Sequence, residues 1–143
     1  MEHIDNLLLE KGIRPSFQRK MILEALLSKK WHPTVDDVFS ALSKEHPTLS
    51  RTTVYNTLKL FSKLGLTKVV RIENDELRYD TDTREHSHFK CLHCGKIFDV
   101  FSPNVHFLSR TICASLPDGF LVKEVRTGIW GTCAVCRSSK TLR

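Results

Sequence analysis

Apolar side chains recur at helical spacing four times in the first 65 residues. Leu7, Leu8 and Leu9 supply the apolar content of a short helix over 2–11, and Gly12 is its stop. Pro15-Ser16 opens a second helix with Ser16 as N-cap. Phe17, Met21, Ile22, Ala25 and Leu26 form its stripe until Trp31-His32-Pro33 breaks it. Thr34, with Asp37 three residues on, has the form of a capping box. It starts a third helix with Val35, Val38, Phe39 and Leu42 as its buried stripe, ending before Pro47. A fourth helix, capped by Ser50 and stopped by Gly65, puts Val54, Leu58, Phe61 and Leu64 on one face. The period then shortens. Thr67–Ile72 and Leu77–Tyr79 read as strands, with Asn74-Asp75 as the tight turn between them.

Further along, 104–116 reads as a helix ended by Pro117 and Gly119. Phe120–Val125 and Gly128–Cys133 read as strands. With Lys90–Cys91 and Lys96–Phe101 they predict a small sheet covered by one helix. The predicted fold class is therefore α+β. Its parts are a winged helix-turn-helix domain over 1–79, a hinge over 80–85, and a dimerisation and metal-binding α/β domain over 86–143. A sheet this small leaves apolar surface for a second copy, so a two-fold homodimer is expected.

The polar face of the fourth helix carries Arg51, Thr52, Tyr55, Asn56, Lys59 and Lys63. On an arbitrary helix this is a solvated face. Here three helices and a basic hairpin surround it, and the set mixes base-edge readers with phosphate cations. The expected partner is double-stranded DNA, with this helix in the major groove. Lys68, Arg71 and Arg78 of the wing would reach phosphate. The net charge of +6 is consistent with a polyanionic partner, but each half of the chain contributes +3, so bulk charge does not locate the interface. With 41% hydrophobic residues the chain can pack a core. No apolar run approaches 18 residues, and Met1-Glu-His-Ile-Asp lacks the basic-then-apolar pattern of a secretory signal. A cytoplasmic protein with no membrane partner is expected, and there thiols stay reduced.

Reduced, paired cysteines suggest metal. Cys91-x2-Cys94 and Cys133-x2-Cys136 are separated by 38 residues. Each two-residue spacing lets a turn aim both sulfurs at one ion, so the four predict a closed, structural zinc site. Cys113 sits in a helical apolar pattern and is expected to be a buried core thiol. The segment between carries harder donors. His86 and His88 alternate onto one side of a strand, with Asp80 upstream and Asp99 downstream. This is either a polar strand edge or a second metal site. Nitrogen and oxygen donors without sulfur suit Fe(II), Mn(II) or Zn(II). An enzyme built on this site is a competing class. The chain shows neither His-Glu-x-x-His nor a Gly-rich phosphate loop.

Several motifs in fixed order carry a family resemblance. They are Gly12-Ile-Arg14…Gln18-Arg19, His32-Pro33-Thr34-x-Asp36-Asp37, Ser50-x2-Thr53-Val54-Tyr55-Asn56, Arg78-Tyr79-Asp80, His86-x-His88-x2-Cys91-x2-Cys94-Gly-Lys and the late Cys133-x2-Cys136. Over essentially its whole length the chain resembles the Fur family of metal-dependent bacterial repressors, and most of all the peroxide-sensing PerR branch. The resemblance implies a regulatory metal site of His32, Asp80, His86, His88 and Asp99, holding Fe(II) or Mn(II), beside the structural zinc. It implies that His32 or His86 is oxidised when peroxide meets the iron form. Asp99 stands where the family's iron-uptake regulators usually carry Glu, which favours the peroxide branch. A regulator of iron or other metal uptake, reading metal concentration, is the alternative. The residues expected at DNA are Arg14, Arg19, Arg51, Thr52, Thr53, Tyr55, Asn56, Lys59 and Arg71.

Overall fold

Helix capping works where the sequence places it. Ser16 Oγ accepts from Arg19 N–H at the start of α2 (Phe17–Leu27). Thr34 and Asp37 exchange both bonds of a capping box at α3 (Val35–Ser43). Ser50 Oγ accepts from Thr53 N–H at α4 (Arg51–Lys63). Each cap satisfies donors that the first helical turn leaves open, at a benefit of about 1 kcal/mol. With α1 (Glu2–Glu10) these helices form the first of two compact units, Met1–Thr83. The computed structural model describes residues 2–71, 76–123 and 125–138, without the side chains of 105–108.

The core of this unit is built from the expected stripes. Leu8, Ile22, Leu26, Val38, Val54, Leu58 and Phe61 are essentially inaccessible. Full burial of each side chain of this kind is worth about 1.5–3 kcal/mol. Some positions depart from the expectation. Phe17 is 69% exposed because it lies in the first turn of α2, where its ring meets His46 edge-on rather than the core. Leu9 and Leu64 also face outward. Leu64 is the C-cap of α4, and Gly65 follows at φ +78°, a left-handed turn that suits glycine. Buried Thr57 and Ile4 take part in the packing instead.

After the turn, β1 (Lys68–Val70) pairs antiparallel with β2 (Arg78–Asp80), Val69 opposite Tyr79. The expected turn at Asn74-Asp75, and Ile72 at the end of the first strand, lie outside the described residues. Tyr79 is buried, and its N–H donates to the Pro33 carbonyl at 2.9 Å. The hairpin is thereby tied to the loop before α3. Asp80, expected in a hinge, is the last residue of β2 and belongs to the first unit.

Among its described residues the second unit, Arg84–Arg143, is a three-stranded sheet with two helices. Its centre is β3 (Ser87–Cys91). On one side lies antiparallel β4 (Ile97–Val100), with Asp99 opposite His88. On the other lies parallel β5 (Gly128–Gly131), with Gly131 opposite Cys91. Between them runs α5 (Val105–Ala114), and α6 (Ala134–Ser138) carries the last cysteine. No periodic signal announces so short a helix as α6. The expected strand at Phe120–Val125 is not formed among its described residues. Both edges of β3 are already taken, so this stretch could join the sheet only at the outer edge of β4 or β5, and its described residues do neither. Phe120 and Leu121 are 66% and 86% exposed. Cys113 is half-buried rather than buried, and its neighbours Ile112 on α5 and Leu116 just past its end are themselves exposed.

Candidate metal centres and nucleic-acid interface

The four paired cysteines converge in the second unit. All four sulfurs lie within 4.8 Å of one another, and Cys94 Sγ is 3.9 Å from Cys133 Sγ. A disulfide would need about 2.0 Å. A zinc tetrahedron with Zn–S bonds of about 2.3 Å has edges of about 3.8 Å, so this donor set fits the ion. Local structure explains the convergence. Cys91 ends β3, and its carbonyl accepts from Gly95 N–H at 2.9 Å, closing the knuckle turn. Gly95 has φ +75°, which a side chain would strain. The register of β3 on β5 then brings the second knuckle alongside, with Leu92 N–H donating to the Gly131 carbonyl at 2.8 Å.

The sulfurs are electrostatically unlike. N–H groups of Cys94 and Cys133 lower the Cys91 thiol to about 6, against the opposing effect of burial. Burial pushes Cys136 up to about 12, reinforced by hydrogen bonds with Cys133, Cys94 and Cys91. Cys91 is therefore a thiolate at neutral pH, the form that ligates metal. Cys136 must release a proton to the solvent when an ion enters.

The nitrogen and oxygen donors fall into two groups, one in each unit. In the first, His32 Nε2 lies 3.3 Å from Asp80 Oδ2, and both side chains are 5% exposed. His32 precedes buried Pro33 in the loop before α3, which β2 binds through Tyr79. In the second unit, His86 Nε2 is 3.0 Å from Asp99 Oδ1, and His88 Nε2 is 3.4 Å from the same oxygen. The two rings meet at 4.5 Å and 60°. Strand alternation and the His88–Asp99 register account for this cluster. His86 Nδ1 lies 2.5 Å from the Arg84 carbonyl, which can only accept, so Nδ1 carries the proton. Its Nε2 then faces a carboxylate that also only accepts. A proton or a cation must stand between them, and sulfur-free donors of this kind suit Fe(II) or Mn(II).

The polar face of α4 is open. Arg51, Thr52, Tyr55, Asn56 and Lys59 are exposed, and Thr53 is half-buried with its hydroxyl 3.0 Å from Ser50 Oγ. Arg51 pairs with the Asp36 carboxylate and lies over the Phe39 ring at 4.9 Å. Arg14, Arg19, Thr53 and Asn56 line a cleft of about 540 Å³ whose lining includes no carboxylate. Arg19 Nη1 donates to the Arg14 carbonyl at 2.8 Å, which orders that rim. Arg71 is exposed beyond β1. Arg78, expected at phosphate, is turned inward instead. Its Nη1 donates to the His32 carbonyl at 2.9 Å, and its Nε donates to Glu76 at 3.1 Å. Composition could not show this, because a carbonyl carries no signature in sequence.

A capped helical bundle with a hairpin wing, a thiolate cluster and separate His/Asp donors defines a metal-responsive DNA-binding regulator. Comparison with known proteins agrees. The sequence profile of the Ferric uptake regulator family matches residues 10–126. The peroxide-responsive repressor PerR of Staphylococcus aureus is 36% identical over 130 residues, covering 91% of this chain and 86% of that one. The ferric uptake regulator of Francisella tularensis with iron superposes with a TM-score of 0.72 at 28% identity, over 88% of this chain and 96% of that one. PerR from Streptococcus pyogenes, described for peroxide sensing and gene regulation, gives a TM-score of 0.51 at 29% identity, over 94% and 91%. The chain belongs to the ferric uptake regulator family.

Proposed function

We propose that this protein is a peroxide-responsive transcriptional repressor that binds a palindromic operator as a cytoplasmic homodimer. Residues 1–79 read DNA through Arg14, Arg19, Arg51, Thr52, Thr53, Tyr55, Asn56, Lys59 and Arg71. Residues 86–143 pair two copies, and 80–85 link the two parts. Zinc is held by Cys91, Cys94, Cys133 and Cys136 and pins the end of the chain to β3. The regulatory ion, Fe(II) or Mn(II), is held by His32 and Asp80 from one unit and by His86, His88 and Asp99 from the other. Donors drawn from both units make ion binding a constraint on their arrangement. DNA affinity then follows metal loading to the extent that one arrangement binds metal better.

The observation that carries this reading is the sulfur-free donor set, with four of its five residues buried and half-buried Asp99 contacted by two imidazoles. When bound, Fe(II) supplies a one-electron reductant for peroxide, which Mn(II) supplies poorly. The chain's own part is to hold His32 Nε2 beside the Asp80 carboxylate in one unit and His86 Nε2 beside the Asp99 carboxylate in the other. Peroxide damage to His32 or His86 would remove a donor and lift repression. The similarity to PerR supports this signal.

The test uses operator fragments recovered by in vitro selection. Binding is measured with Mn(II) and with Fe(II), before and after peroxide. Loss of binding in the iron form alone, with one oxygen added to a peptide containing His32 or His86, is the expected result. Binding that follows metal concentration and ignores peroxide would favour the second reading, a metal-uptake regulator. The fold shared with the Francisella uptake regulator is the observation on that side.

A further inference from the structure

The ring of Phe101 contacts two groups. The Arg84 guanidinium carbon lies 4.5 Å from its centroid. The imidazole of His86 packs against it at 4.8 Å and 31°. Phe101 is 50% exposed, so core packing does not account for its position. The His86 side chain beside it is 0% exposed. Arg84 acts on His86 a second time, because its carbonyl takes the Nδ1 proton at 2.5 Å. One residue thus fixes a proton on one ring nitrogen and braces the aromatic that covers the ring.

We propose that Arg84 and Phe101 form a clamp that positions His86, holding the Nδ1–H tautomer and the ring plane so that Nε2 is presented as a metal donor. This rests on the reading of His86 as a regulatory ligand. The physical basis is general. A ligand histidine must offer one lone pair in one direction, and partners outside the ligand shell set both the tautomer and the orientation. Without the Phe101 ring, His86 would gain rotational freedom and water would compete for its Nδ1 proton. The cluster with Asp99 and His88 would then form only part of the time. Phe101 and Arg84 are positioning residues; neither is proposed to touch the ion.

The experiment compares full-length, zinc-loaded wild type with Phe101→Ala, Phe101→Tyr and Arg84→Gln. Arg84→Gln keeps the carbonyl and removes the guanidinium. Mn(II) affinity is measured by titration with electron paramagnetic resonance. The His86 tautomer is read in the manganese-free protein from long-range nitrogen–proton spectra of the imidazoles. Phe101→Ala and Arg84→Gln should each weaken Mn(II) binding roughly 10–100-fold, the usual cost of losing an outer partner. Phe101→Tyr should restore it. In Phe101→Ala the Nε2–H tautomer should become populated, with zinc content and melting temperature unchanged. Unchanged Mn(II) affinity and tautomer in Phe101→Ala would overturn the clamp. So would weaker Mn(II) binding with the wild-type tautomer and a lowered melting temperature, which a purely structural role predicts. If wild type binds no Mn(II) beyond its zinc, the regulatory-site reading fails, and the tautomer spectrum alone decides the clamp.

Discussion

Replacing Arg78 with Met separates two roles that a basic wing residue can have. As a phosphate contact, Arg78 would contribute to DNA affinity and nothing to folding. As an internal strut, it would do the reverse. Its Nη1 donates to the half-buried His32 carbonyl at 2.9 Å. A hydrogen bond from a charged donor to a sheltered acceptor contributes about 1.5–3 kcal/mol. Its ion pairs with Glu76 at 3.1 Å and Asp37 at 3.9 Å involve partners 43% and 48% exposed, so they add between nothing and about 1 kcal/mol. Met retains most of the apolar stem, so loss of packing is small. The expected destabilisation is about 2 kcal/mol. With a slope near 2 kcal/mol/M, the urea midpoint should fall by about 1 M. The same variant, titrated onto generic duplex DNA at several salt concentrations, should keep the wild-type salt slope. A lost phosphate contact would instead lower that slope by about 0.9. A reduced slope with an unchanged urea midpoint would refute the strut and return Arg78 to the DNA surface.

Thr34→Ala opens the capping box at α3 and should cost about 1 kcal/mol in chemical denaturation, while Thr34→Ser should recover most of it. Zinc retention should fall as pH drops, because Cys136, pushed up to about 12, is protonated in the metal-free site throughout, and below about 6 Cys91 adds a second competing proton. A zinc-release assay with a colorimetric chelator across pH 5–8 checks the sign, and release independent of pH would contradict it. Cys91→Ser should yield a zinc-free protein whose second unit is protease-sensitive; a protease-resistant variant would remove the structural role of the site. Burial, with Tyr55 adding to it, raises the Tyr79 phenol above 10. Stability is then intact below pH 10 and lost as the pH rises past it, since only the unfolded chain ionises readily. Tyr79→Phe should be less sensitive to alkali in thermal melts between pH 9 and 11.

Much of the candidate chemistry was legible because it is local. A two-residue cysteine spacing dictates a chelating turn, and strand alternation puts His86 and His88 on one side, whatever the rest of the fold does. The caps at Ser16, Thr34 and Ser50 are likewise satisfied within three residues. The errors lie where a side chain could choose among distant partners. Phe17 matches the helical period yet faces outward, its ring meeting His46 rather than the core. Phe120–Val125 has the composition of a strand, but composition does not supply a pairing partner, and its described residues join no ladder.

The chain by itself determined the kinds of donor, their pairing in knuckles, and the helices that carry a polar reading face. Periodicity and spacing are properties of a few neighbouring residues, and their physics acts before any tertiary contact forms. Tertiary structure alone decided that Arg78 serves the His32 carbonyl rather than solvent, and that Arg84 and Phe101 stand around His86. Those contacts depend on backbone atoms and ring faces brought together by register and packing, which no residue type advertises in advance.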